Sequence, residues 1–434
     1  MNVEINIAAT DSQERTFLTW SPVKASARII EADGAVGTVS VTLRNGGIDG
    51  GGRVVFDTVR SDEDRESLDI ELPVDGTAVG FWVAGAFGHP SLAYGDSAIE
   101  AVASGTVVGR RELMVRIRKN AVKLTAEERD RFIQALGTLN DRGYGAFSSF
   151  RLTHVAQSMA EAHTYAAFTA WHRAYLLDLE RALQEIDAGV ALPYWRFDEP
   201  ARALFEPEFM GMAPDDPNAG QTVQFPAGHP LEFWRTDEAM DPIERRADFD
   251  IDGAPEWHMS STGPVGVIPQ DETMKLGGPS DLYALFRRYE QSPHGPAHTS
   301  FEGPVNWPPT AAKDPLFFLL HANIDRLWAL WQFLKNRRTA DDQSSYSVAG
   351  RRRQPYDIGH KLDDTLWPWN QIEGDGTDAN PRPEVTLPRP RFPSSPIVNR
   401  PSAEPTVREM IDYQGVYEAE SLGFDYDDVP FEIR

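Results

Sequence analysis

Six of the ten histidines fall in two short windows. His154, His163 and His172 lie within 19 residues, and His294, His298 and His321 lie within 28. A single histidine is usually a surface or hydrogen-bonded core residue. Six gathered this way point to metal binding, because neutral imidazole is the commonest metal ligand. His294 and His298 stand four apart, so on a helix they leave one face and can chelate one ion. His154 and His163 stand nine apart, half a turn out of phase at about 100° per residue, so no single helix face holds both. His163 is therefore expected on a loop. The result is two three-histidine sites held between antiparallel helices, one way of building metals into a helical bundle.

The ligand type narrows the metal. The chain has no cysteine, which removes thiolate sites, iron–sulfur clusters, disulfides and cysteine nucleophiles. Imidazole suits zinc, copper, iron and nickel. Position 295, after His294, is glycine, so the His-Glu-x-x-His base of a zinc protease is missing. Neither window offers the Glu-x-x-His of a di-iron bundle. Six imidazoles without a carboxylate ligand favour two copper ions, each able to carry one electron.

Positioning these groups needs a sizeable core, and 434 residues with 41% hydrophobic and 25% charged content can supply one, divided into two or three domains. Residues 1–114 alternate with period 2 in short runs such as Gly37–Leu43 and Ser67–Leu72, with glycine-rich turns between them, and predict a β-sandwich accessory domain. The pattern turns helical at Thr125, where Thr125 and Glu128 form a capping-box pair. Helical spacing recurs over about 151–162, 172–187, 281–291 and 321–335, with His172 and His321 opening their helices. Proline-rich 381–405 is expected to be extended. The expected fold is multidomain: an N-terminal β-sandwich, then a mainly α-helical four-helix bundle over 115–434 around a dicopper site.

Two motifs carry a family resemblance. Phe168-Thr169-Ala170-Trp171-His172-Arg173-Ala174-Tyr175-Leu176 with Leu192-Pro193-Tyr194-Trp195 is one. Asp314-Pro315-Leu316-Phe317-Phe318 through His321-Ala322-Asn323-Ile324-Asp325-Arg326-Leu327-Trp328 is the other. Together they resemble the paired copper signatures of the tyrosinase/catechol oxidase (polyphenol oxidase) family, over about residues 115–428. The resemblance implies a type-3 dicopper site, with copper A on His154, His163 and His172 and copper B on His294, His298 and His321. It implies that Glu290 orients an active-site water, that Phe168 packs against the copper histidines, and that Asp325 pairs with an arginine such as Arg173 beside the copper-B helix. Leu422-Gly423-Phe424-Asp425-Tyr426 resembles the motif that closes the catalytic domain, with Arg118 at the place of its stacking arginine. The extra module is then N-terminal.

The sequence departs from the family in three ways. Leu320 stands where relatives usually have a further histidine. The thioether cysteine of fungal and plant members is absent, which leaves His163 held by packing alone. Gly295 replaces the asparagine that many family tyrosinases place beside the water-orienting glutamate. His89, His229, His258 and His360 lie outside both windows and are expected to be dispensable for copper.

The implied activity is copper-dependent oxidation of o-diphenols to o-quinones by O2, with room for a weaker monophenol hydroxylation. With no side chain at 295 to help hold the water, diphenol oxidation is favoured. The alternatives are an oxygen carrier of haemocyanin type and an o-aminophenol oxidase. Beyond copper no cofactor is expected, and the partners are a phenolic small molecule and O2. A net charge of −24 argues against nucleic-acid or anionic-membrane partners. The N-terminus shows no basic and apolar leader, so the expectation is a cytoplasmic protein unless a carrier exports it.

Overall fold

In the computed structural model the described residues are 1–7, 15–141, 146–214, 216, 218, 220–236, 242–249, 251–252, 256–257, 266–267, 281–348, 359–372, 391–418 and 420–433. His258 and the prolines at 381, 383, 388 and 390 lie outside them. The chain forms two compact units. One is Met1–Arg118 with Ser394–Arg400 and Asp412–Arg434; the other is Lys119–Pro393 with Pro401–Ile411. This differs from a division into 1–114 and 115–434. The closing segment belongs with the β-rich unit, because its apolar residues Val416 and Phe431 join that unit's core.

Among the described residues the first unit holds nine strands: β1 (Asn2–Ile7), β2 (Phe17–Leu18), β3 (Val23–Glu31), β4 (Thr38–Asn45), β5 (Val54–Asp57), β6 (Ser67–Pro73), β7 (Val79–Gly85), β8 (Ser97–Ala103) and β9 (Thr106–Val115). They form two sheets, ordered β1-β3-β7-β5 and β2-β9-β8-β4-β6. Alternation explains the arrangement. In β6, Leu68, Ile70 and Leu72 are buried while Ser67, Asp69 and Glu71 are exposed, so one face of the strand enters the core. In the same unit the Arg118 guanidinium lies 3.7 Å from the Phe424 ring centroid and donates to Tyr426 Oη at 2.9 Å.

The second unit is helical where the site is built. Its first helix, Ala126–Asp141, starts at the expected capping box: Glu128 N–H donates to Thr125 Oγ1 (3.2 Å) and Thr125 N–H to Glu128 Oε2 (3.0 Å). Two long helices, Phe168–Gln184 and Leu316–Lys335, pack on each other. Every residue from Phe168 to Leu183 and from Leu316 to Gln332 is buried, so these are core helices rather than amphipathic surface ones. Both begin before the expected starts at 172 and 321, which places His172 and His321 in the second turn rather than at a frayed end. The 151–162 stretch is broken into Ser148–Thr153, a 3₁₀ turn over Ala156–Ser158, and Met159–Ala162. The 281–291 stretch is one turn, Tyr283–Phe286, followed by the 3₁₀ helix Arg287–Glu290. Residues 391–405 carry no helix or strand. Among the described residues no helix is long and apolar enough to cross a membrane.

Candidate metal centre

The six histidines reach the centre from five local structures. His154 and His163 are the C-caps of Ser148–Thr153 and Met159–Ala162, so both lie just past a helix end. His172 and His321 come from the long helices, and His294 and His298 from the short helix His294–Thr299. The ring nitrogens form two clusters, His154/His163/His172 and His294/His298/His321, with one donor atom per residue lying within 4.8 Å of the others in each. Five of the six rings are buried, and His163 is partly exposed. The clusters adjoin: His172 and His321 stack at 4.2 Å between centroids with 11° between planes, and His163 faces His294 at 6.0 Å.

Their hydrogen bonds decide which nitrogen is offered. His172 Nδ1 lies 2.8 Å from Phe168 O, His294 Nδ1 2.9 Å from Glu290 O, and His298 Nδ1 2.7 Å from Val305 O. A carbonyl only accepts, so each Nδ1 carries the proton and each Nε2 lone pair points inward, the arrangement that orients metal-ligating imidazoles. In the second cluster His294 Nε2 and His298 Nε2 approach His321 Nε2 at 3.3 and 3.1 Å. His172 Nε2 and both ring nitrogens of His154 are buried with no hydrogen-bond partner. Orphaned buried nitrogens are costly unless something binds them.

Burial, reinforced by the neighbouring imidazoles, holds His163, His172, His294 and His321 well below the usual histidine range. The same causes push His154 down to about 3, and burial takes His298 to about 4. The rings are therefore neutral, the form that binds a metal. Two closed sets of three neutral nitrogens, with no carboxylate among the donors, fit a pair of copper ions.

The surrounding residues fix this geometry. Arg173 Nε donates to Asp325 Oδ1 at 2.6 Å, with both side chains buried. Arg173 follows His172 and Asp325 lies one turn after His321, so the ion pair sets how the two long helices face each other. The Phe168 ring lies 4.7 Å from His172, 5.0 Å from His294 and 5.8 Å from His163. Glu290 Oε1 accepts the N–H of Thr164. Burial raises its carboxyl to about 7, against the lowering effects of that bond and of Arg287. Gly295 faces open space: a Cβ there would meet nothing within 4 Å.

Several contributors were not singled out from the sequence. Phe317 lies 4.2 Å from His321 and 4.6 Å from His154. It precedes His321 by four residues as Phe168 precedes His172, and that repeated spacing was a readable signal. The Val305 carbonyl and Thr164 had no sequence signal, because main-chain contacts leave no residue preference. Of the other histidines, His89 is exposed, His229 stacks on Phe225 at 4.5 Å, and both ring nitrogens of His360 face main-chain groups.

The part of the chain that carries the histidines is similar to known proteins. Residues 144–334, which span all six histidines, match the model for the common central domain of tyrosinase. The chain is 31% identical over 271 residues to a tyrosinase of Streptomyces antibioticus, covering 58% of this chain and 93% of that one. It is 30% identical over 268 residues to the tyrosinase of Streptomyces lincolnensis, covering 58% and 92%. Among solved structures, a functional unit of octopus hemocyanin overlaps 73% of this chain and 69% of its own, with a TM-score of 0.46 and 19% identity. With its central region and two neutral three-histidine clusters in one helical unit, the chain belongs to the tyrosinase family.

Proposed function

We propose that the protein oxidises o-diphenols to o-quinones with O2, with monophenol hydroxylation as its weaker activity. The observation that carries this is the stacked contact of His172 with His321, which brings two neutral three-imidazole clusters together. His154, His163 and His172 would hold copper A, and His294, His298 and His321 copper B. The copper pair supplies the two-electron exchange between the phenol and O2.

The remaining work falls to the chain. Nδ1 bonds to main-chain carbonyls keep three imidazoles aimed, and the Arg173–Asp325 pair keeps their helices in register. Phe168 and Phe317 exclude water from the inner faces of the rings. A carboxyl near 7 suits Glu290 to hold a water and take a phenol proton at neutral pH. Gly295 gives that water no second side-chain partner, which weakens the step that only monophenols require. On this reading the long helices Phe168–Gln184 and Leu316–Lys335 are two members of the four-helix bundle expected around the copper pair, and the two β-sheets form the accessory sandwich.

Copper content together with oxygen uptake on tyrosine, catechol and o-aminophenol tests the proposal. Two coppers per chain and faster quinone formation from catechol are expected. Reversible O2 uptake without quinone would identify a carrier instead, and preference for o-aminophenol would move the substrate class.

A further inference from the structure

His163 alone of the six histidines is partly exposed, and its ring is weakly anchored. Among the described residues, its ring makes no bond to a main-chain carbonyl, and its Nδ1 lies 3.2 Å from Met159 Sδ, a weak acceptor. It also opens a five-residue connection, 163–167, between Met159–Ala162 and Phe168–Gln184. Thr164 in that connection has φ +70°, a left-handed conformation that is strained for a β-branched residue and persists only when its surroundings impose it. Something must therefore hold the connection from outside.

His360 is placed to do so. Its Nε2 lies 3.1 Å from Ala160 O, and its Nδ1 lies 3.2 Å from Ala167 N. The carbonyl can only accept and the amide can only donate. The ring is therefore the neutral tautomer with Nε2 protonated, and neither nitrogen is left to bind metal. Ala160 O sits at the end of one helix and Ala167 N at the start of the next, where main-chain groups lack helical partners. One rigid ring thus satisfies an orphan on each side of His163, three residues before it and four after.

The ring is itself fixed. Tyr346 Oη donates to His360 O at 2.6 Å, and His360 N–H donates to Asp364 Oδ2 at 3.1 Å. The strand of chain that follows grips the same corner: Trp367 N–H donates to Glu161 Oε1 (2.8 Å), and Trp367 O accepts from Trp171 Nε1 (2.8 Å). Gly359 is required here, since it has φ +78° and a Cβ would lie 2.5 Å from Glu161 Oε1.

We infer that His360 is a positioning residue for copper A, clamping both ends of the 163–167 connection so that His163 is presented as a ligand. This revises the expectations that His163 is held by packing alone and that His360 is dispensable for copper. The inference rests on the assignment of His163 to copper A.

A chelator challenge of the copper-loaded full-length protein tests it, following copper content and the EPR of the oxidised protein. A coupled pair of Cu(II) ions in the wild type should be EPR-silent. His360→Phe, which keeps the ring but neither nitrogen, should lose one copper on the order of tenfold faster than wild type, as expected for loss of a ligand-orienting group. The second copper should leave at the wild-type rate, and a lone Cu(II) signal like that of His163→Ala should appear. His360→Gln, which retains a donor towards Ala160 O, should fall between, and it serves if the phenylalanine variant does not fold. Release of both coppers at the wild-type rate, or equal acceleration of both, would overturn the inference. A wild type holding fewer than two coppers would instead overturn the dicopper reading beneath it.

Discussion

Glu290 Oε1 accepts the main-chain N–H of Thr164, the residue after His163, so this carboxyl ties the short 3₁₀ helix before His294 to the connection that opens with His163. The two halves of the site are thereby joined by a group that also lies four residues before His294. One carboxylate oxygen is bound by the main chain, and the proton-accepting role proposed for this residue can be separated from that bond by substitution. Glu290→Gln keeps an oxygen for Thr164 but cannot take a proton. It should lower monophenol hydroxylation on the order of 100-fold and catechol oxidation much less, with both coppers retained. Glu290→Ala should lose copper as well. Steady-state rates on both substrates beside copper content check this; equal losses on the two substrates for the glutamine variant would remove the proton-accepting role.

Gly295→Asn should be tolerated, because a side chain there meets open space. An amide that helps hold the proposed water adds about one hydrogen bond, ~1 kcal/mol, so the ratio of monophenol to catechol turnover should rise roughly fivefold. An unchanged ratio in a variant that still binds two coppers would show that glycine does not set the preference.

Copper analysis should give two ions per chain, and His298→Ala should retain one firmly. Loss of His298 leaves His294 and His321 alone in the second cluster, while the first cluster is untouched. His229→Ala and His258→Ala should keep both ions. A lost equivalent in either would reassign the ligands.

Asp325→Ala should destabilise the protein by about 3–5 kcal/mol, because it strands the buried Arg173 charge. Arg173 still reaches Met410 O at 2.6 Å, which does not neutralise it. Chemical denaturation of the metal-free variant measures the loss; a change under about 1 kcal/mol would mean the pair is not what registers the helices.

Asp425 supplies a pH test in the first unit. Burial raises its carboxyl to about 6, although Gln414 and Ser21 donate to it. A raised folded pKa favours folding fully below the unfolded value near 4, and this contribution is lost as pH rises through 6. The shift corresponds to about 2–3 kcal/mol. Asp425→Asn, which mimics the protonated acid, should gain stability relative to wild type between pH 4 and 7. A difference that stays flat over that range would refute the shift.

Much of the site could be read in the residue order alone. Two histidine windows, the absence of cysteine and the i,i+4 pair His294/His298 already indicate a six-imidazole dinuclear centre. Alternation in β6 and the Thr125/Glu128 pair mark the two textures of the chain, since periodicity and capping are local and need no partner. Tertiary structure decided what depends on distant groups. Whether His172 and His321 meet is set by how two buried helices face each other, which Arg173 and Asp325 settle 152 residues apart. Which histidine nitrogen is free depends on carbonyls such as Val305 O, and every residue type carries a carbonyl. The closing motif around Phe424 and Tyr426 joins the β-rich unit because Arg118, Trp20 and Ser21 meet it there. His360 stands outside both windows, and only folding brings its ring between the two ends of the His163 connection.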